Sequence, residues 1–283
     1  MKLHKVSSLD SSQIQQIQTM VNTCTGHDKT SLSFPFDEAE LFLFIEEGRA
    51  VISSIAFVPV DENLYECSAF THPDFRGQGL FTDLLDAGIE SLPEDSELLF
   101  YTDRNDENTA AVLESIGAEL DSEEHMMALK PEDFFAVFRP AGLPQASTVS
   151  SASGIDIHLE SLDIDGTPTL RFHSDHAVIN FSVFPSHFYL YGFEVEETRR
   201  GMGYGTKFLD EVLAQLLVEK SGDDPAYSPV GSTCAGSRSA DSAAADMGPR
   251  PVLLQVAGSN APALALYKKT GFRITETLCC YLY

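Results

Sequence analysis

A glycine-rich turn occurs twice in this chain, and the pair constrains the fold more than any other feature. Arg76-Gly77-Gln78-Gly79-Leu80-Phe81 and Arg200-Gly201-Met202-Gly203-Tyr204-Gly205 begin 124 residues apart (200 − 76). Each follows an apolar, strand-like run and opens a helical one. A glycine turn between strand and helix presents backbone N–H groups and a positive helix end to an anion. The helices that follow repeat their apolar positions at the same offset: Leu84, Leu85, Ile89 and Leu92 against Phe208, Leu209, Leu213 and Leu216. Each set lies on one helical face. A duplicated phosphate-binding fold accounts for this shared spacing.

The rest of the chain divides accordingly. In the first half, 2–6 alternates like a strand. Asp10-Ser11-Ser12 caps a helix carrying Ile14, Ile17 and Val21. Residues 41–45, 50–60 and 64–71 read as antiparallel strands turned at Gly48 and at Asp61-Glu62-Asn63. A helix from about 79 to 92, a strand at 98–102, a helix at 107–116 and a strand at 125–129 follow. Residues 131–154 hold Pro140, Pro144 and a serine-rich run, and read as a linker. The second half places strands at 155–159, 169–172, 178–184 and 188–195, with a helix to about 219. The stretch near 221–250 is rich in Gly, Ser, Ala, Asp and Pro and reads as a flexible insertion. A strand at 252–256, a helix at 261–270 and a closing strand at 272–283 complete that half. The expectation is an α/β (α+β) chain of two tandem domains, 1–130 and 155–283, each a mixed, mostly antiparallel sheet flanked by helices.

Charge narrows the function. At −25 and a pI near 4.4, the chain lacks the basic surface that nucleic acid requires. An acidic field favours a cationic partner, although solubility alone also accounts for it. No apolar run approaches a membrane span, and 1–5 leads into an alternating stretch rather than an apolar signal core, so a cytoplasmic protein is expected. The five cysteines show no framework spacing, and Cys279-Cys280 read as ordinary strand residues on opposite faces. No histidine falls in a metal-binding spacing, so no metal is expected.

The turns are not dinucleotide sites, because antiparallel strands precede them, nor Walker loops, because no Gly-Lys-Ser/Thr follows. The remaining pattern resembles the GCN5-related N-acetyltransferase (GNAT) family, whose first signature is Q/R-x-x-G-x-G/A at a strand-to-helix turn. Arg200, Gly203 and Gly205 fill it, and Asn260, Ala263, Leu266-Tyr267 and Gly271-Phe272 fill the second signature. The likeness is strong over 155–283 and moderate over 1–130.

The resemblance implies an N-acetyltransferase that moves an acetyl group from acetyl-CoA to a primary amine by direct transfer in a ternary complex. It implies coenzyme A contacts at Val195, at Arg200, Gly201, Met202, Gly203, Tyr204, Gly205 and Thr206, and at Asn260 and Ala263. The strand through Val195 would part from its neighbour and receive the pantetheine arm, and Asn260 would touch pantetheine or cap the next helix. Tyr267 would protonate the departing thiolate. Glu194 is the preferred base or amine anchor, and a backbone N–H near Val195 would meet the oxyanion. The acceptor would be a small molecule or peptide, with a cationic one favoured by charge, and the protein a monomer or homodimer. The first half departs from the pattern: Phe81 replaces the last glycine, and Leu113 stands where the tyrosine would be. A competing expectation is a non-catalytic acyl-CoA-binding or regulatory module.

Overall fold

The computed structural model describes residues 1–30, 32–138, 154–217 and 250–283. All of the expected insertion except Arg250, the 139–153 part of the expected linker, and Cys234 lie outside the described residues.

The first half runs β1 (Lys2–Val6), α1 (Ser11–Asp28), β2 (Leu41–Glu47), β3 (Ala50–Asp61), β4 (Leu64–Thr71), α2 (Leu80–Ile89), β5 (Glu97–Asp103), α3 (Glu107–Ile116) and β6 (Glu119–Leu129). Then come α4 (Pro131–Phe138), β7 (His158–Ile164), β8 (Thr167–His173), β9 (Ala177–Val183), β10 (Phe188–Val195), α5 (Tyr204–Leu217), β11 (Val252–Ala257), α6 (Ala261–Thr270) and β12 (Arg273–Leu282). Residues 131–138, expected as linker, are therefore helical. Proline suits the first turn, where its missing N–H is not needed, and Phe134 is buried.

The chain forms two compact units, Met1–Glu124 with Glu276–Tyr283, and His125–Thr275. In the first, the strand order is β1-β2-β3-β4-β5-β12. Period-two alternation puts Leu43 and Ile45 on one face of β2 and Phe42 and Phe44 on the other, and each face builds a core. Helix α2 covers the first face with Leu80, Leu84 and Leu85. Helix α1 covers the second with Ile17, Met20, Val21 and Cys24, which recur at helical spacing. Its start is fixed by a reciprocal cap. Asp10 accepts from the Ser12 and Gln13 N–H groups at 2.8 and 2.9 Å, and the Gln13 side chain accepts from the Asp10 N–H.

In the second unit the order is β6-β11-β10-β9-β8-β7. Its first strand is β7, not the expected 155–159: Ile155 and Ile157 pack on the core ahead of the strand, which begins at His158. Asp165-Gly166 turns β7 directly into β8, both residues at positive φ. Consequently this unit has no counterpart of α1. Helices α4, α5 and α6 all pack into a single core on one side of the sheet, around Phe172, Phe181, Phe208 and Leu213.

The closing strand differs from expectation. It pairs with β5 of the first unit, from Leu278 opposite Asp103 to Leu282 opposite Leu99. Cys279 and Tyr281 are buried there beside Leu98 and Phe100, and that burial favours the pairing. Its repeat counterpart is β6, which starts 154 residues earlier (273 − 119) and neighbours β11 in the second unit. Each half thus completes its sheet with the last strand of the other. Cys279 faces the core, whereas Cys280 points the other way, and all four described cysteines are free.

Deleting Glu276–Tyr283 removes four buried side chains, Thr277, Cys279, Cys280 and Tyr281. Burying a large apolar side chain contributes roughly 1.5–3 kcal/mol, against a typical domain stability of about 5–15 kcal/mol. The expected outcome is loss of the cooperative thermal transition measured by circular dichroism. An unchanged melting curve would show that the exchanged strand is dispensable.

Candidate functional site

The glycine turn of the second unit stands at the end of a strand that parts from its neighbour. Strands β10 and β11 are parallel and pair only at Phe188 with Val252 and Tyr189 with Leu253, although β10 runs on to Val195. In the first unit, β4 and β5 pair through four positions, ending at Cys67 with Phe100, and then part likewise. Each fork leaves backbone donors and acceptors of the longer strand available to an extended guest.

The strand β10 carries a bulge that β4 lacks at the matching place. Tyr191 lies opposite Asn180 and Glu194 opposite Val178, so one extra residue is inserted. Before the bulge Phe188 and Leu190 face the core; after it Phe193 and Val195 do. The inserted residue therefore reverses the parity of the strand and places Glu194 on the face away from the core. Gly192 permits this: its φ is +57°, and a Cβ there would stand 2.8 Å from the Asn180 amide nitrogen.

The turn itself is repeated in detail. Arg200 Nε donates to the Val195 carbonyl at 2.8 Å, and Arg76 Nε to the Thr71 carbonyl at 3.0 Å. The paired glycines match in φ, +72° at Gly77 and Gly201, +79° and +78° at Gly79 and Gly203. The first-turn N–H groups of the following helix have no partners within it. Met202 is 71% exposed, and Gly201 and Gly203 are exposed beside it. Tyr204, Gly205 and Thr206 form the half-buried first turn of α5. At Gly205, an added Cβ would stand 3.2 Å from Val195 and 3.3 Å from Leu266, so β10, α5 and α6 converge there.

The two copies differ in what surrounds that frame. Asp83 sits in the first turn of α2, and Lys207 occupies the same position, 124 residues on, in the second. A lysine near helix donors favours an anion where an aspartate repels it. Phe81, in place of Gly205, lays its ring edge-on to Phe100, the last paired residue of β5, at 6.2 Å. The Arg76 guanidinium is held by both oxygens of Asp28 at the end of α1, at 2.9 and 2.6 Å. That contact keeps the Asp28 carboxyl below the usual aspartate range. Among the described residues of the second unit, which has no helix between β7 and β8, no acid pairs with Arg200 in this way.

The second signature is also doubled. Asn260 Oδ1 accepts from the Ala263 N–H at 3.2 Å and caps α6. Asp106 caps α3 in the same way through the Thr109 N–H at 3.0 Å, and it lies 154 residues earlier (260 − 106). Sequence reasoning looked for asparagine and missed this aspartate, although Asp-x-x-Thr before a helix is itself a cap signal. Tyr267, whose counterpart is Leu113, is buried in the second core with its ring 5.5 Å from that of Phe272. Burial pushes its hydroxyl up to about 12.

Glu194, Val195 and Arg200 come together along an open groove of about 320 Å³ with Asp175, His176 and Glu196. Tyr267, Asn260 and Ala263 do not line it. His176, which sequence reasoning also missed, contacts Glu196 through Nδ1 at 2.5 Å and the Arg199 guanidinium through Nε2 at 3.3 Å. Glu196 is held below the usual glutamate range by the Thr198 side chain and then by His176. Ser174 and Tyr204 share a hydrogen bond at 3.0 Å beneath this group. The charge is unevenly divided. The first unit holds 6 basic and 26 acidic residues, −20 (6 − 26), which leaves −5 for His125–Thr275 (−25 + 20). The anion-favouring turn lies on the nearly neutral unit.

Residues 12–117 match the model of the acetyltransferase (GNAT) family. No match was found among curated proteins. Three solved structures share the fold along nearly the whole chain. One is a GCN5-related N-acetyltransferase from Sphaerobacter thermophilus (12% identity, TM-score 0.57, 99% of this chain and 95% of that chain). Another is a tandem GNAT protein from the clavulanic acid biosynthesis pathway (12%, 0.58, 100% and 98%). The third is a GNAT-family acetyltransferase from Colwellia psychrerythraea (11%, 0.53, 100% and 100%). Residues 12–117 are thus similar to a GNAT-family domain, and the chain as a whole shares the fold of these three structures. The family match falls on the first half, whereas both motifs are fuller in the second. The second half lacks α1 and carries 30 more residues between its motifs (154 − 124).

Gly192→Ala forces a side chain into positive φ and against Asn180, which costs about 1–3 kcal/mol. Thermal denaturation should show that loss. Pairing it with Asn180→Ala should lose less than the sum of the single changes.

Proposed function

We propose that the second unit transfers an acetyl group from acetyl-CoA to a primary amine. The observation that carries this reading is the β10–β11 fork ending in a glycine turn, with Lys207 where the first unit has Asp83. The residues fit the ligand. The α5 N-terminus and Lys207 would receive the pyrophosphate, and Val195, Arg200, Gly201, Met202, Gly203, Tyr204, Gly205 and Thr206 would frame it. The unpaired edge of β10 would receive the pantetheine amides. Asn260 and Ala263 would act on this arm through the start of α6, which their cap fixes.

Glu194, placed by the bulge outside the core, would take a proton from the amine directly or through water. The nitrogen then forms a bond to the thioester carbonyl carbon as the carbon–sulfur bond breaks. A backbone N–H near Val195 would meet the oxygen that gains charge. Tyr267 would return a proton to the sulfur; a hydroxyl raised to about 12 stays protonated at neutral pH, as an acid must. No cysteine enters the scheme, so transfer is direct, without an acyl-enzyme. The first unit would support the fold rather than turn over substrate, because Phe70, Phe81, Asp83 and Leu113 stand where the second has Glu194, Gly205, Lys207 and Tyr267.

Thiol release from acetyl-CoA in the presence of an amine panel tests this. Tyr267→Phe should lower kcat about 10²–10⁴-fold with a smaller change in the acetyl-CoA KM. The acid is lost only as pH rises through about 12. The wild-type profile should therefore show no alkaline fall below about pH 11 from this group. Unaltered turnover would remove Tyr267 from the mechanism.

Lys207→Glu should weaken coenzyme A binding about three- to thirtyfold by calorimetry. Asp83→Lys should not, because the first turn is not where the pyrophosphate sits in this reading. The reverse result would move the site to the first unit.

A further inference from the structure

Among the described residues, one face of the second sheet carries no helix of its own unit. The three described helices there, α4, α5 and α6, pack into the core on the opposite side. Two rows of side chains cross the face left over. Arg171, Asn180 and Tyr191 are register partners in one row, and His173, Val178 and Glu194 in the next. The first unit has Ala56 and its register partner Ser68 where this sheet has Asn180 and Tyr191, and α1 lies against that sheet.

The Arg171 side chain is positioned rather than loose. Its Nε donates to Asn180 Oδ1 at 2.9 Å, and Asn180 is 7% exposed beside the bulge at Gly192. That bond uses one edge of the guanidinium and fixes its plane. The two Nη groups remain, in a fork that matches a carboxylate. Glu160 is the register partner of Arg171 on β7, but its carboxylate contacts His173 Nε2 at 3.4 Å. Among the described residues, no ion pair engages Arg171. From strand spacing and rise, the Arg171 and Glu194 backbones stand about 12 Å apart, and the two side chains close much of that gap.

We infer that the acceptor is an amino-acid-like zwitterion, its carboxylate held by Arg171 and its amine presented to Glu194. This rests on the acetyl-transfer reading and sharpens its substrate class. A polyamine, which the net charge alone suggests, would meet the guanidinium with like charge and leave it unpaired. An amino acid pairs both charges of the face at once.

The test uses matched pairs, each an amino acid and its decarboxylated amine: lysine with cadaverine, ornithine with putrescine, phenylalanine with phenethylamine. Thiol release from acetyl-CoA gives kcat/KM, and calorimetry in the presence of coenzyme A gives binding without turnover. The expected result is a preference of about tenfold or more for the carboxylate-bearing member of at least one pair. Arg171→Met should bring that ratio to about one, and Arg171→Lys should keep part of it. Coenzyme A affinity serves as the check that variants fold. Equal or better use of the decarboxylated members overturns the inference. So does an Arg171→Met variant that weakens both members alike, or the failure of every pair to bind. Binding that follows this pattern without thiol release would support the carboxylate site and count against acetyl transfer.

Discussion

One extra residue in β10 decides what the second unit can do chemically. Strand parity is strict: without the insertion at Gly192, the positions that bury Phe188 and Leu190 would also bury Glu194. A carboxylate in that core would be costly to ionise and useless as a base. The bulge moves it to the open face and seats Asn180 against a glycine that has no side chain to exclude it. Asn180 in turn fixes Arg171. A local backbone irregularity thus sets the orientation of two charges on neighbouring rows.

The comparison between copies separates frame from chemistry. The frame persists in both: the arginine that clamps the strand-end carbonyl, the two glycines, and the side-chain cap of the second helix. None of these needs a ligand to be useful, since each satisfies backbone groups that would otherwise stay open. The residues that differ carry charge or a proton, or leave space. Asp83 stands for Lys207, Leu113 for Tyr267 and Phe81 for Gly205. A domain kept for its fold needs only the first set.

Much of this was legible in the sequence. The repeated glycine turn gave the tandem order, and apolar periodicity gave α1, α2, α5 and most strands within a few residues. The helix at Pro131–Phe138 was hidden by the prolines and serines that follow it. Strand β7 was misplaced because Ile155 and Ile157 are apolar yet lie outside any strand, while Asp165-Gly166 was a hairpin signal passed over. At the site, the glycine turn and Glu194 could be read from local pattern. Arg171 and Asn180 could not, because they are brought together by register across β8 and β9. The last strand was assigned to the wrong unit for a related reason. Its alternation says that it is a strand, but only the partner it finds says whose.

That exchanged strand has a consequence during synthesis. Strand β5 leaves the ribosome ending at Asp103, but the segment that covers its edge begins 175 residues later, at Leu278 (278 − 103). At about 5–20 residues per second, the interval is on the order of 10–40 s. Throughout it, the nascent first unit presents an uncovered strand edge and an unfilled core position for Tyr281. The heavy negative charge of Met1–Glu124, −19 (6 − 25), then acts as a guard. Neighbouring chains emerging from the same message repel one another until each has its own final strand to close with.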